Sequence, residues 1–410
     1  MNFIFSEEMK ESYVSFALKL LSERIGISQT QRENADKHYR GITRVLDNSS
    51  LASYKPRLQT QGSNRLGTAV RCVGNENDFD IDIVCELLDI PTNWTPKDLK
   101  EAVGEVLLES NEYKDLIENK KGGKRCWTIL YKDGTHADIL PSVVDEAYRR
   151  NLQNTYYQSF DEFGIRITDK TRHPEYEEET DRSKWLLSNP IGFAEWFFMM
   201  ARVHENKHKS HSYMRTRASV QPFPVSTKSD WILQSIVRLL KRHRDVMFEG
   251  EDKKPISMII TVLAAKAYET CPPGNNMLDI MKHISNNLIS VMDRNWYNGK
   301  RQVLNPVNTK EDFSDRWQNE PEREQNFYRW VEQLCSDFEA LSTMNRIDAG
   351  IKLKQMFGEN AGADVIKDLV RREQESKSSS RLAAFGAAVT TTGSAVAKAM
   401  PTMPHTFYGI

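Results

Sequence analysis

Apolar residues recur at helical spacing near the start of the chain (Tyr13, Phe16, Ala17, Leu20, Leu21), break at Gly26-Ile27-Ser28, and resume through Tyr39. The pattern predicts two helices, the second opened by a cap at Ser28-Gln29-Thr30-Gln31. The period then shortens to two. Phe79, Ile81, Ile83, Val84 and Leu87 frame a buried strand. Residues 124–131 form a second strand, Lys132-Asp133-Gly134 a turn, and 135–140 a returning strand closed by Pro141. A helix over 96–110 lies between these strands. Helices interrupting a small mixed sheet predict an α+β core from about Ser53 to Val144. Patterning weakens over 145–188, where the acidic run 175–180 is expected to be a solvated loop. Helical periodicity returns at 192–203, with Trp196 and Phe197 in the core, and again at 230–246, 254–268, 277–292, 322–341 and beyond Ile351. Residues 376–410, rich in Ala, Ser, Thr and Gly, predict a flexible tail with apolar residues back at its tip.

Charge on the first strand changes the picture. Period-two geometry puts Asp80 and Asp82 on one face of an otherwise apolar strand. A lone Asp-x-Asp is most simply a solvated pair, but buried carboxylates need compensation. Asp138 lies inside the returning strand, so three carboxylates converge. Gln61-Gly62-Ser63, followed by Asn64-Arg65-Leu66-Gly67-Thr68, is a phosphate-cradling turn that opens a short helix. Carboxylates beside a phosphate site predict Mg²⁺, a hard ion that takes both kinds of oxygen, in the two-metal arrangement of in-line displacement at phosphorus; Mn²⁺ is the alternative. Asp78-Phe79-Asp80 is the competing carboxylate pair, because Asp78 points the same way.

GSNRLGTAVR, DFDIDIVCEL and HADILPSV resemble the polymerase-beta-type nucleotidyltransferases and, within them, the bacterial cGAS/DncV-like nucleotidyltransferases (CD-NTases) of anti-phage systems. The resemblance extends through residues 189–197 and the helix at 231–248. It implies a bilobed, OAS/cGAS-like architecture: N-terminal helices to residue 50, a catalytic core over 51–188, a helical lobe over 189–375 and the tail over 376–410. It also implies synthesis of a cyclic di- or trinucleotide from nucleoside triphosphates: ATP, with GTP or a pyrimidine triphosphate as alternatives. Asp80, Asp82 and Asp138 would hold the metals; Gln61, Gly62, Ser63, Lys241 and Ser257 would contact the nucleotide. Linear oligonucleotides, transfer to an RNA or protein acceptor, and a non-catalytic nucleotide-sensing subunit are the rival functions. Some systems of this family conjugate the synthase through its C-terminus by a ubiquitin-transfer-like partner. Here Ile410 follows Gly409, a departure from the usual small terminal residue, and a peptide-capture protein is the other candidate partner for the tail.

The 410 residues carry 56 basic and 57 acidic side chains, a net charge of −1, which argues against nucleic acid as the main partner and does not require one. Five cysteines without a Cys-x-x-Cys pair, no signal-peptide pattern and no bilayer-length apolar run predict a cytoplasmic protein. His204-Glu205-Asn206-Lys207-His208 matches a zinc-protease pattern, but its basic neighbours disfavour a divalent ion. The basic stretch 202–217 is better assigned as a loop near the nucleotide cleft, or as surface.

Overall fold

Two helices lead, α1 (Tyr13–Arg24) and α2 (Gln29–Asp47). Ser28 starts α2 as expected: its hydroxyl accepts from Gln31 N–H while the Gln31 side chain accepts from Ser28 N–H, at 3.2 and 2.9 Å. There follow β1 (Pro56–Thr60), the one-turn helix α3 (Gly62–Leu66), β2 (Phe79–Leu87), α4 (Pro96–Glu109), β3 (Trp127–Leu130) and β4 (Thr135–Val144). Next come β5 (Ile165–Ile167), α5 (Glu175–Glu178), β6 (Leu186–Ser188), α6 (Pro190–Ala201), α7 (Ile232–Met247), α8 (Ser257–Glu269) and α9 (Met277–Asn287). After four short strands between Asp293 and Asp312 come α10 (Pro321–Thr343) and α11 (Arg346–Phe357), and residues 359–372 are helical as well. The structure, a computed structural model, describes residues 13–74, 79–145, 163–204, 231–295, 297–372 and 374. Asp78, the Glu205–His208 part of the zinc-protease pattern, most of the basic stretch 202–217 and the tail 376–410 lie outside the described residues.

The main sheet has the order β1-β2-β4-β5-β6, with β3 also paired to β4. Only β2 and β4 run parallel, and α4 makes the connection between them. One face is covered by α2 and α4: Ile81, Ile83, Cys85 and Leu87 pack with Tyr39, Ile42, Leu99 and Val103. On that face Trp127 lies so close to Gly104 that a Cβ there would meet its ring at 2.0 Å. The opposite face alternates with it. There Val84, Leu140 and Val144 form a smaller cluster with Ile165, Ile167 and Ile191, and Asp80, Asp82 and Asp138 share their side of the strands.

Two local expectations change, and two hairpins are added. β4 does not stop at Pro141 but runs to Val144, with Pro141 opposite Cys85. Pro141 falls where β3 has ended and β5 has not begun, and the neighbouring Ser142 hydroxyl donates to Cys85 O at 3.3 Å. The acidic run is not wholly loop: Glu175–Glu178 is a helical turn because Tyr176 is buried beneath it. The hairpins Asp293–Arg294 with Arg301–Gln302, and Leu304–Asn305 with Asn308–Asp312, have too few residues for any period to announce them.

Trp196 and Phe197 are in the core, as expected. Helix α7 keeps its basic residues inside the protein. All of residues 233–244 are buried, Arg238, Lys241, Arg242 and Arg244 among them. Residues 1–363 group into one compact unit and 364–410 into another, whose described residues are helical.

Candidate active site

β1 delivers the Gly-Ser turn onto β2. Gln61 N–H donates to Asp82 O at 2.9 Å. Gly62 has φ +59°, and a Cβ added there would stand 2.4 Å from Asp82 Oδ2. A side chain is therefore excluded both by conformation and by the carboxylate itself. Asn64 Nδ2 donates to Asp80 O at 2.6 Å, and Thr68 N–H returns to Ser63 O at 2.9 Å. Gly67, at φ +67°, ends the turn of helix.

The parallel register sets Asp82 directly beside Asp138 and Asp80 beside His136. His136 Nδ1 lies 3.4 Å from Asp80 Oδ1, while Asp80 itself is largely exposed. Thr128, opposite Asp138 in the β3–β4 hairpin, donates its hydroxyl to Asp138 Oδ1 at 2.5 Å. Burial, followed by the charges of Asp138 and Asp80, pushes the Asp82 carboxyl up to about 7. Lys241 offsets part of that rise. Its ammonium is buried and donates to Thr68 O at 2.9 Å, and burial together with Arg244 brings it down to about 7.

Gln61, Gly62, Asp80, Asp82 and Asp138 thus meet on one face, with Ser63 in the adjoining turn and Lys241 within reach of Asp82's charge. Ser257 stands apart from this contact network. Its hydroxyl accepts from Arg244 Nη1 at 3.0 Å at the start of α8, and its neighbours Ile256 and Ile259 line a cavity of about 660 Å³. Ile167, Leu186 and Ser188 form the sheet side of that cavity. By register they face the same way as Ser142 and Val144, hence the same way as Asp138.

Residues 13–163 match the family profile of the Second Messenger Oligonucleotide or Dinucleotide Synthetase domain. That part of the chain is thus similar to a second-messenger oligonucleotide synthetase domain. Over 400 residues, 96% of each chain, it is 25% identical to a c-di-GMP synthase of Roseivirga ehrenbergii. It is 23% identical to the cyclic dinucleotide synthase CdnG of Bradyrhizobium diazoefficiens, over 75% of this chain and 71% of that one. A solved structure of the Bradyrhizobium diazoefficiens CD-NTase CdnG in complex with GTP shares the fold, at a TM-score of 0.62 and 20% identity, covering 87% of this chain and 99% of that one.

Nucleotidyltransferases of this family are generally metal-dependent. Among the described residues no three His, Cys, Asp or Glu side chains are gathered into a ready-made ion cage. The donor chemistry nevertheless fits: all three carboxylates supply hard oxygen, and a divalent cation would offset both the burial and the neighbouring carboxylate charges that raise Asp82. Thr128, Asn64 and His136 are site neighbours that motif reading passes over. The hairpin turn at Asp133-Gly134 already fixes the register that puts Thr128 opposite Asp138. Among the described residues no helix is long and apolar enough to cross a membrane.

Proposed function

We propose that this chain condenses nucleoside triphosphates into a cyclic dinucleotide, with GTP as a substrate. The observation that carries the reading is the side-by-side pair Asp82 and Asp138 against a glycine turn that tolerates no side chain. In each step a ribose hydroxyl oxygen forms a bond to an α-phosphorus, the bond from that phosphorus to the bridging oxygen of the β-phosphate breaks, and pyrophosphate leaves. Divalent cations, when bound, supply charge neutralisation at the phosphates. Asp80, Asp82 and Asp138 hold that charge in place, and Asp138, fixed by Thr128, accepts the hydroxyl proton. Gln61, Gly62 and Ser63 seat the triphosphate, and Lys241 tempers the charge at Asp82. The cavity beside β5 and β6 takes the nucleoside: Ile167 and Ile259 offer apolar wall to a base, and Arg125, Lys254, Lys310 and Arg316 offer cations to phosphate. Ser257 stands at its edge. Residues 51–188 are the catalytic lobe, and 189–375 the helical lobe.

The two-nucleotide ring is supported by the names of both curated relatives, and guanine by the name c-di-GMP synthase and by GTP in the solved CdnG structure. The cellular setting is anti-phage signalling in the cytoplasm, with the tail 401–410 as the segment a partner protein captures. Incubating the protein with all four triphosphates and Mg²⁺, then phosphatase, then mass spectrometry, tests the chemistry. Phosphatase-resistant cyclic di-guanylate is expected. Linear products alone, or none, would overturn it.

A further inference from the structure

The one-turn helix α3 has a difficulty at its lower end. Its last carbonyls, and those of the chain just beyond, have no intrahelical partner. The donors come from α7, far away in sequence. Gln234 Nε2 donates to Leu66 O at 2.9 Å, Arg238 Nη1 to Gly67 O at 2.7 Å, Lys241 Nζ to Thr68 O at 2.9 Å and Arg242 Nη2 to Arg71 O at 2.8 Å. These residues fall at i, i+4, i+7 and i+8, one stripe of α7, and they meet four carbonyls along six residues of chain. Arg238 Nε also reaches Ser22 O on α1, and Arg71 N–H donates to Ile25 O, so the segment 66–71 is held from both sides. Gly67 is pressed against the stripe: a Cβ there would meet Gln234 Nε2 at 2.5 Å.

We infer that this stripe of α7 is a clamp that sets the position of the Gly62-Ser63 turn against Asp82, with Gln234 and Arg238 as positioning residues for the nucleotidyl transfer. The cationic members suit the carbonyl end of a helix, and the four donors reach Leu66 O and three carbonyls of the chain just beyond it. The clamp acts through the turn, so loosening it weakens the hold on triphosphate more than it slows the chemical step. This inference rests on the assignment of Ser63 to the triphosphate.

Gln234→Glu removes the donor to Leu66 O yet keeps an oxygen for the Trp231 N–H that Gln234 now accepts. Ser63→Ala, Gln234→Glu and the double variant are compared in steady-state turnover with GTP, alongside thermal melts. Gln234→Glu is expected to raise KM about five- to tenfold with kcat nearly unchanged, the size of one lost buried hydrogen bond. The double variant is expected to show no more than Ser63→Ala alone. Arg238→Lys, which keeps charge but gives up the fork that joins Gly67 O to Ser22 O, serves if Gln234→Glu melts out, and the same KM-only change is expected. Ser63→Ala with unaltered KM would overturn the Ser63 assignment. A Ser63 effect combined with full additivity, or with a loss confined to kcat, would overturn the clamp while leaving that assignment standing.

Discussion

Gly62→Ala places a single methyl group where the site has least room. At φ +59° an alanine costs roughly 1–2 kcal/mol on conformation alone. Its Cβ would lie 2.4 Å from Asp82 Oδ2 and 3.3 Å from Cγ, so the carboxylate and the turn must separate by about 1 Å to reach ordinary contact. Overpacking of that kind adds about 1–3 kcal/mol. The sum lies within the stability of an ordinary protein, roughly 5–15 kcal/mol, and the fold survives. Catalysis should not: a displacement of about 1 Å at a reacting constellation costs about 100-fold in rate.

Gly250→Ala is the matched control. It has φ +80° and nothing within 4 Å of the added Cβ, so it carries the conformational cost without the clash. Pyrophosphate release at saturating triphosphate and Mg²⁺ should fall about 100-fold for Gly62→Ala and stay within about twofold for Gly250→Ala, while both melt lower than the parent. A folded Gly62→Ala protein that turns over within about threefold of the parent would show that the closeness of turn and Asp82 has no part in the reaction.

The Asp82 carboxyl sits at about 7 in the folded chain and about 3.9 in the unfolded one, so its stabilising neutral form is fully present below pH ~4 and lost as pH rises through about 7. In buffer without divalent cations, Asp82→Asn should therefore melt above the parent at pH ~8, the gap narrowing toward pH ~4; a pH-independent gap would contradict the rise that burial and the neighbouring carboxylates impose on Asp82. Asp80→Ala, Asp82→Ala and Asp138→Ala should each abolish product, and Mg²⁺ should raise the melting temperature of the parent but not of Asp138→Ala. Lys241→Ala should raise KM for triphosphate about tenfold, and Lys241→Arg should recover little, because the ammonium is enclosed against Thr68 O; unchanged KM in both would remove Lys241 from the site. Deleting 401–410 should leave purified turnover unchanged and abolish protection against phage in cells, and protection without the segment would remove the proposed partner.

Asp82 and Asp138 were legible because each interrupts an apolar alternation, and a carboxylate in such a place needs a reason. The Gly-Ser turn was legible from residue type, and the structure adds why the glycine is obligatory: the carboxylate is its steric neighbour. Pro141 misled because proline ordinarily ends a ladder, whereas here it falls at a gap between two edge partners. The hairpins near Val303 were invisible because side chains hold them: Asp312 Oδ1 accepts from Ser314 N–H and Oγ, and Asp293 Oδ2 from Leu304 N–H.

The basic residues of α7 mark where sequence patterning stops informing. Patterning equates a polar stripe with solvent, and on that rule Arg238, Lys241 and Arg242 should have faced water or a ligand. They are buried against carbonyls of a segment some 170 positions away. Nothing in the residues 66–71 announces the need, because an unsatisfied carbonyl leaves no mark on residue type. The nucleotide motif is local, and the support for its geometry is distant. A variant that keeps every motif residue can thus still lose the site, if it alters the helix that supplies the donors.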